Sequence, residues 1–280
     1  LFFSTTANAV DCKFLNPEVP EFTTEKPRIF RATATAPLQI ENRALGYRLD
    51  YFLEHFELTD DFLIFAGTAR FEEMAPGSTD ETQKWQANRL RAYNGSLRHF
   101  LSALVDNFRQ TGSTLTGKKS IMDKEPLNDE GFYLLSVKDP YLFDKDPRAQ
   151  KGNLISANRL LAPGELGFEN KLVFSDYLQV IYTEEFEEEG YLEFIREFER
   201  SWIRRQAGAL LVKPAARGYP FDPLKIETHG YWAWQRLADM LPFEYVPEVQ
   251  QTEIAQIEPE QMVAPLRDDC FDPGEKVDWR

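Results

Sequence analysis

The chain is poor in the residues that build metal and redox centres. It has only two cysteines, Cys12 and Cys270, in 280 residues. They form no Cys-x-x-Cys pair, which excludes the usual structural zinc patterns. They lie near opposite ends of the chain, and the sequence leaves open whether they are bridged or free. Histidine is scarce too: His55, His99 and His229 are the full set. None has a His or Cys three or four residues away. Basic residues number 32 against 46 acidic ones, for a formal charge of −14. That sign repels phosphate backbones and anionic leaflets, so neither nucleic acid nor an anionic membrane face is an expected partner. No apolar run approaches the ~20 residues of a membrane span. No signal peptide is legible, but the first residue is Leu1 rather than Met, so that absence carries no information. Internal repeats and low-complexity tracts are missing as well.

Aromatic residues, by contrast, are plentiful. Phe, Tyr and Trp make up 14% of the chain and hydrophobic residues 42%. A chain of this length and composition buries a sizeable core and is not disordered as a whole. Residues 1–26, interrupted by Asn16-Pro17 and Pro20, read as an extended N-terminal segment. An α+β domain is expected over 27–247 and an extended acidic tail over 248–280. Leu45, Tyr47, Leu49, Tyr51 and Leu53 alternate with charged residues, the period of a half-buried strand. Shorter runs at 38–40, 62–65 and 69–72 are expected to pair with it. Strands are also expected at 131–137, 154–161, 166–174, 177–182, 209–213 and 224–228. Runs of strands with no strand–helix–strand alternation predict a mostly antiparallel sheet. The expected fold is α+β, with one long central helix and one or two further helices.

That central helix is read over 80–110. Ser78-x-x-Glu81 fits a capping box at its start. Leu90, Tyr93, Leu97, Phe100, Leu101, Leu104 and Phe108 then form one apolar stripe. Leu97, Phe100, Leu101 and Leu104 are expected to pack on the sheet. Gly95 inside it costs ~1 kcal/mol relative to Ala. Tyr191, Phe194, Ile195, Phe198, Trp202 and Ile203 fit a second helix, although alternation from Leu192 to Phe198 also fits a strand. A third helix follows Gly230 and ends at Pro242, with Trp234, Leu237, Ala238 and Leu241 on one face.

Two dense signatures stand out. One runs Trp85-x-x-Asn88-Arg89-Leu90-Arg91-Ala92-Tyr93-x-Gly95-Ser96-Leu97-Arg98-His99-Phe100. The other runs Gly230-Tyr231-Trp232-Ala233-Trp234-x-Arg236-Leu237-Ala238-Asp239-Met240-Leu241-Pro242-Phe243. Both combine aromatics, Arg and small residues, as a helix docking site does. The candidate binding residues are Arg91, Arg98, His99, Tyr231, Trp232 and Arg236. Arg91 and Arg98 are expected to meet carboxylates from another segment, and Arg89, Arg91 and Arg236 to be paired charges. Trp234 is expected in the core. Trp232 is expected to be accessible and, with Tyr231 and Tyr219, able to stack on a sugar ring. His99 reads as a buried, hydrogen-bonded histidine, and His229 as a packing residue.

No catalytic or metal-ligating set emerges. His55 and Glu57 share a strand face but lack a third ligand. Ser96 stands close to His99, yet no Gly-x-Ser-x-Gly turn presents it. Asp139, Asp144 and Asp146 do not match a calcium loop. The five glutamates of 184–189, broken by Phe186, read as a solvated charge run that attracts divalent cations at most loosely. No cofactor is implied.

Four stretches carry a resemblance to a known family. They are Asn8-Ala9-x-x-Cys12-Lys13-x-Leu15-Asn16-Pro17, Ile40-Glu41-Asn42-x-Ala44-Leu45-Gly46-Tyr47, the signature from Asn88 to Phe100, and the one from Gly230 to Pro242. Together they resemble the C-terminal region of the carboxypeptidase-like regulatory domain-containing proteins of Bacteroidota. In that family a small β-sandwich precedes this region, and the name implies no peptidase activity. The resemblance implies an exported protein of the periplasm or outer-membrane surface. The expected role is a non-enzymatic binding or scaffolding component, associated with other envelope proteins such as an outer-membrane complex. Two rivals remain: a glycan- or peptide-binding module using exposed aromatics, and a hydrolase of unrecognised type around His99, Ser96 and Arg91.

Overall fold

The structure, a computed structural model, describes residues 2–26, 28–60, 63–111, 130–138, 152–164, 170–191, 197–205 and 225–247. The described residues belong to one compact unit within Leu1–Pro247. The expected acidic tail, the strand expected at 209–213, Tyr219, Cys270 and the loop aspartates 139, 144 and 146 lie outside the described residues.

The fold is α+β with antiparallel sheets. Its first sheet holds β1 (Cys12–Phe14), β2 (Pro20–Lys26), β3 (Ile29–Ala34), β4 (Leu38–Asn42), β5 (Tyr47–Leu58) and β6 (Leu63–Glu73). The long β5 is its spine. One edge pairs with β6, while the other pairs first with β4 and then with β3. Residues 1–26 are part of this sheet, because β1 pairs with β4 and β2 with β3, both on the side of β5 away from β6. The alternation read in β5 is present, and a register shift at 53–55 then reverses its parity. Beyond that bulge Phe56 rather than His55 points into the core.

Two helices follow, α1 (Thr79–Tyr93) and α2 (Leu97–Thr111). The stretch read as one long helix is thus helical almost end to end but breaks at 94–96. Gly95 takes φ +65°, a left-handed conformation that side-chain-bearing residues rarely adopt. Ser96 restarts the helix, its Oγ accepting the His99 backbone N–H at 3.1 Å, an N-cap arrangement. At the start of α1, Ser78 Oγ accepts the Glu81 N–H at 3.2 Å, as the capping pattern predicts.

The break sends the two helices to different partners. α1 docks on the turn between β4 and β5 through three successive carbonyls. Trp85 Nε1 donates to Arg43 O (2.8 Å), Asn88 Nδ2 to Ala44 O (2.8 Å) and Arg89 Nε to Leu45 O (2.7 Å). Arg89 also pairs with Glu73 at 2.6 Å and lies 4.1 Å above the Tyr47 ring. That satisfies a guanidinium that would otherwise be costly to bury. Phe100, Leu101, Leu104 and Val105 of α2 pack instead on a second sheet, with Leu97 half-buried beside them.

The second sheet runs β13-β12-β11-β7-β8, built from β7 (Phe132–Val137), β8 (Asn153–Leu154), β11 (Tyr177–Phe186), β12 (Phe198–Arg205) and β13 (Ile226–Gly230). A small pair, β9 (Leu161–Pro163) and β10 (Asn170–Leu172), completes the strands. The helical reading of 191–203 fails from Phe198 onward. There the chain is β12, paired along β11 on one side and β13 on the other. Aromatic and β-branched residues in a short run favour a strand once neighbours supply pairing.

The second signature is also not one helix. It forms one turn, α3 (Tyr231–Trp234), and a 3₁₀ turn (Leu237–Asp239). The two tryptophans exchange the expected places. Trp232 is 7% exposed and packs with the α2 cluster. Its N–H donates to Ser201 Oγ (3.0 Å) and its indole to Gly95 O (2.6 Å). Trp234 is half-buried and donates to Thr5 Oγ1 (2.8 Å). A one-turn helix cannot present the long stripe that the full spacing implied. Leu237 and Leu241 pack instead on the first sheet.

Two stability outcomes follow from this geometry. Trp232→Ala is expected to cost ~3–5 kcal/mol and Trp234→Ala clearly less, measured by urea unfolding. Equal losses would contradict the assignment. Gly95→Ala is expected to cost at least ~1–2 kcal/mol for the left-handed conformation. Its added Cβ would also displace the Glu199 carboxylate. An unchanged unfolding midpoint would mean that the break is not imposed at Gly95.

Candidate functional site

Of the six candidate binding residues, only Arg91 and Tyr231 line a common opening. Trp232 is core. Arg98 is held by backbone carbonyls. It donates to the carbonyls of Pro242 (2.7 Å), Phe243 (2.8 Å) and Tyr245 (2.6 Å), clamping the chain after the second signature. His99 packs among the rings of Tyr93, Phe132 and Tyr182. Its Nδ1 accepts the Gly95 N–H at 3.2 Å, and burial lowers its pKa to about 4. It is therefore neutral at physiological pH. Arg236 is half-buried between α3 and the 3₁₀ turn, where burial lowers its pKa. Ser96 Oγ donates to Tyr93 O (2.6 Å) and caps the His99 N–H. The Ser96 hydroxyl and the His99 ring thus each have other partners, and no nucleophile–base hydrogen bond joins them. Cys12 is a free thiol that donates to Asn8 O (3.3 Å), and burial pushes its pKa up to about 12.

The opening is a cleft of about 670 Å³. One wall is the N-terminal segment at Thr5, Thr6, Ala7 and Val10. The other is the end of β11 and the turn after it, from Glu184 to Gly190. Glu199 of β12 and Tyr231 of α3 lie deeper, and Arg91 of α1 joins the lining. The glutamate run is thus solvated only in part: Glu184 and Glu189 are exposed, and Glu187 is buried. Its first members continue β11, and past the register shift at 182–186 the Glu187 N–H bonds to Glu197 O.

Among the described residues, six carboxylates line this cleft against one guanidinium. Some are answered. Asn94 Nδ2 donates to Glu185 (2.9 Å), and the Ala7 N–H donates to Glu188 (2.6 Å). The Arg200 N–H reaches Glu187 Oε1 at 3.4 Å, and the Tyr231 hydroxyl donates to Glu199. Two oxygens are not: Oε2 of Glu187 and Oε2 of Glu199 have no hydrogen-bond partner. Both side chains are deeply buried, with Glu187 7% and Glu199 4% exposed.

Burial therefore holds protons on these groups. It raises Glu187 to about 7, with the Glu197 charge adding to the effect. Glu199 is pushed well above the carboxylate range, first by burial and then by Glu185, Glu187 and Glu188. Glu185 is raised by burial as well. Beside the N-terminal wall, Asp239 accepts from Asn8 at 2.8 Å and is raised by burial to about 6. Among the described residues no group of three or more His, Cys, Asp or Glu side chains could hold a metal ion.

The missed residues are Glu187 and Glu199. A charge run normally faces solvent, so Glu187 gave no signal. Glu199 was legible in principle. Reading 198–205 as a strand places Glu199, Ser201 and Ile203 on one face, which is the core face.

A pH dependence follows, with opposing signs. The folded chain keeps a proton on Glu187 that the unfolded chain releases near pH 4.5. Its contribution to stability is full below that value and is lost as the pH rises through about 7. His99 works the other way, its contribution fading as the pH falls from 6.5 to about 4. Glu187→Gln is expected to flatten the alkaline limb, so that its melting temperature gains on the native chain from about pH 5 to pH 8. Parallel melting curves across that window would contradict the assignment.

No family model, curated protein or solved structure matches the chain.

Proposed function

We propose that the chain is a non-enzymatic binding and scaffolding protein of a cell envelope, docking on other envelope proteins such as an outer-membrane complex. The exported location rests on the family resemblance of its four sequence stretches. Among the described residues no helix is long and apolar enough to cross a membrane. The binding role rests on one observation, the carboxylate-lined cleft. An unanswered buried acceptor costs about 1–3 kcal/mol, and a fold retains such defects mainly at functional sites. Exposed apolar side chains, Val10 and Phe186, line the same opening, as the rim of a docking surface requires.

The rivals lose specific supports. Tyr231 and Trp232 are buried and hold internal partners, so that pair offers no stacking platform for a sugar ring. The Ser96 hydroxyl and the His99 ring are each engaged elsewhere. Docking is tested by photo-crosslinking the full-length protein in its native envelope. A crosslinking residue replaces Phe186 at the cleft or, as control, the exposed Phe52 of β5. A discrete protein adduct is expected from position 186 and none from position 52. No adduct, or the same pattern from both positions, would overturn the reading.

A further inference from the structure

We propose that the cleft receives a basic segment of the partner protein, with a lysine or arginine side chain entering between Glu187 and Glu199. This deepens the docking reading above and rests on it. The first argument is the pair of unanswered oxygens. Each is a buried acceptor on a side chain of a cleft-lining residue, and among the described residues neither has a donor. An ammonium brings three donors and a guanidinium five, with no acceptor to be left unsatisfied. The second argument is charge. Among the described residues Arg91 is the single cation of the lining, and its charge acts on Glu185. Of the two buried glutamates, Glu187 feels the Arg200 charge, which lies outside the lining, and Glu199 feels the charges of three other glutamates.

The third argument separates an organic cation from a metal ion. The carboxylates share one opening, yet among the described residues no three acidic, His or Cys groups converge as a metal requires. A side chain on a flexible stem, or a planar fork of donors, reaches oxygens too dispersed for one small ion. The fourth argument favours a peptide over a free amine. Val10 is 85% exposed and Phe186 45% exposed, so the lining offers apolar contact as well as charge. A volume of about 670 Å³ suits several residues of chain rather than one ammonium.

Entry of a cation displaces the protons that burial keeps on the two glutamates. The groups that set this exchange are Glu184 and Glu185 of β11, Glu188 and Glu189 of the turn, Glu197 just before β12, Arg200 of β12, Tyr231 of α3, and Arg91. Binding therefore releases protons and tightens as the pH rises through the range where Glu187 titrates.

The test uses the full chain and fluorescein-labelled hexapeptides alternating leucine with lysine, arginine, serine or glutamate, read by anisotropy. Lysine and arginine peptides are expected to bind, and serine and glutamate peptides not to. Affinity is expected to fall about tenfold or more between about 50 and 300 mM salt. Glu187→Gln with Glu199→Gln is expected to weaken binding about tenfold or more. That variant risks misfolding, so Arg91→Ala provides an independent arm. Removing the exposed competing cation is expected to tighten the lysine peptide by about twofold or more. Equal binding of the glutamate peptide, or an affinity unmoved by Arg91→Ala, would overturn the proposal. So would competition by millimolar calcium or by butylamine at the peptide's own concentration. An adduct at position 186 without lysine- or arginine-peptide binding retires this inference and leaves the docking reading standing. Loss of both retires both.

Discussion

Everything in the described fold turns on the left-handed step at Gly95. A continuous helix over 80–110 would present one apolar stripe to one partner. The break lets the same stretch serve two. Before it, Trp85, Asn88 and Arg89 hold the carbonyls of the β4–β5 turn. After it, Phe100, Leu101 and Leu104 fill the core of the second sheet. Three constraints then meet at one residue. The Gly95 carbonyl takes the Trp232 indole, its N–H meets His99, and the Glu199 carboxylate occupies the space a Cβ would need. Only glycine meets the conformational and the steric demand together.

The two signatures are seams rather than sites. Each crosses from one hydrophobic cluster to the other. The first does so through the α1–α2 break. The second does so by sending Trp232 to the α2 cluster and Leu237 and Leu241 to the first sheet. They touch at the bond from Trp232 to Gly95. Two of their arginines, Arg89 and Arg98, are held by backbone carbonyls, three for Arg98 alone. Charge-assisted bonds of this kind fix a loop against a helix with more geometric precision than apolar contact gives.

The cleft opens beside this seam. Glu199 is both the neighbour that crowds Gly95 and a lining residue of the opening. Burying carboxylates there opposes folding. Protonation, the Tyr231 hydroxyl and the Arg200 N–H offset part of that cost, and two oxygens stay unanswered. The proposed docking function and this stability cost involve the same few side chains. The stability of the chain and the occupancy of its cleft are accordingly linked through the same protons.

By itself the sequence determined the α+β class, the alternating spine of β5, the capped start of α1 and the apolar face of α2. These are local patterns, set by period, cap and turn chemistry within a dozen residues. It also marked the two signatures as places where side chains dock. Only the tertiary structure decided the rest. The helix breaks at Gly95 because Trp232 and Glu199, more than a hundred residues away, occupy the space around it. β12 is a strand because β11 and β13 flank it, although its own spacing also fits a helix. Trp232 and Trp234 exchange places because a one-turn helix answers to Ser201 and Gly95 rather than to a stripe. The glutamate run lines a cleft because the N-terminal segment and α3, distant in sequence, line the same opening. Pairing, burial and steric exclusion between distant segments set each of these outcomes, and no local period encodes them.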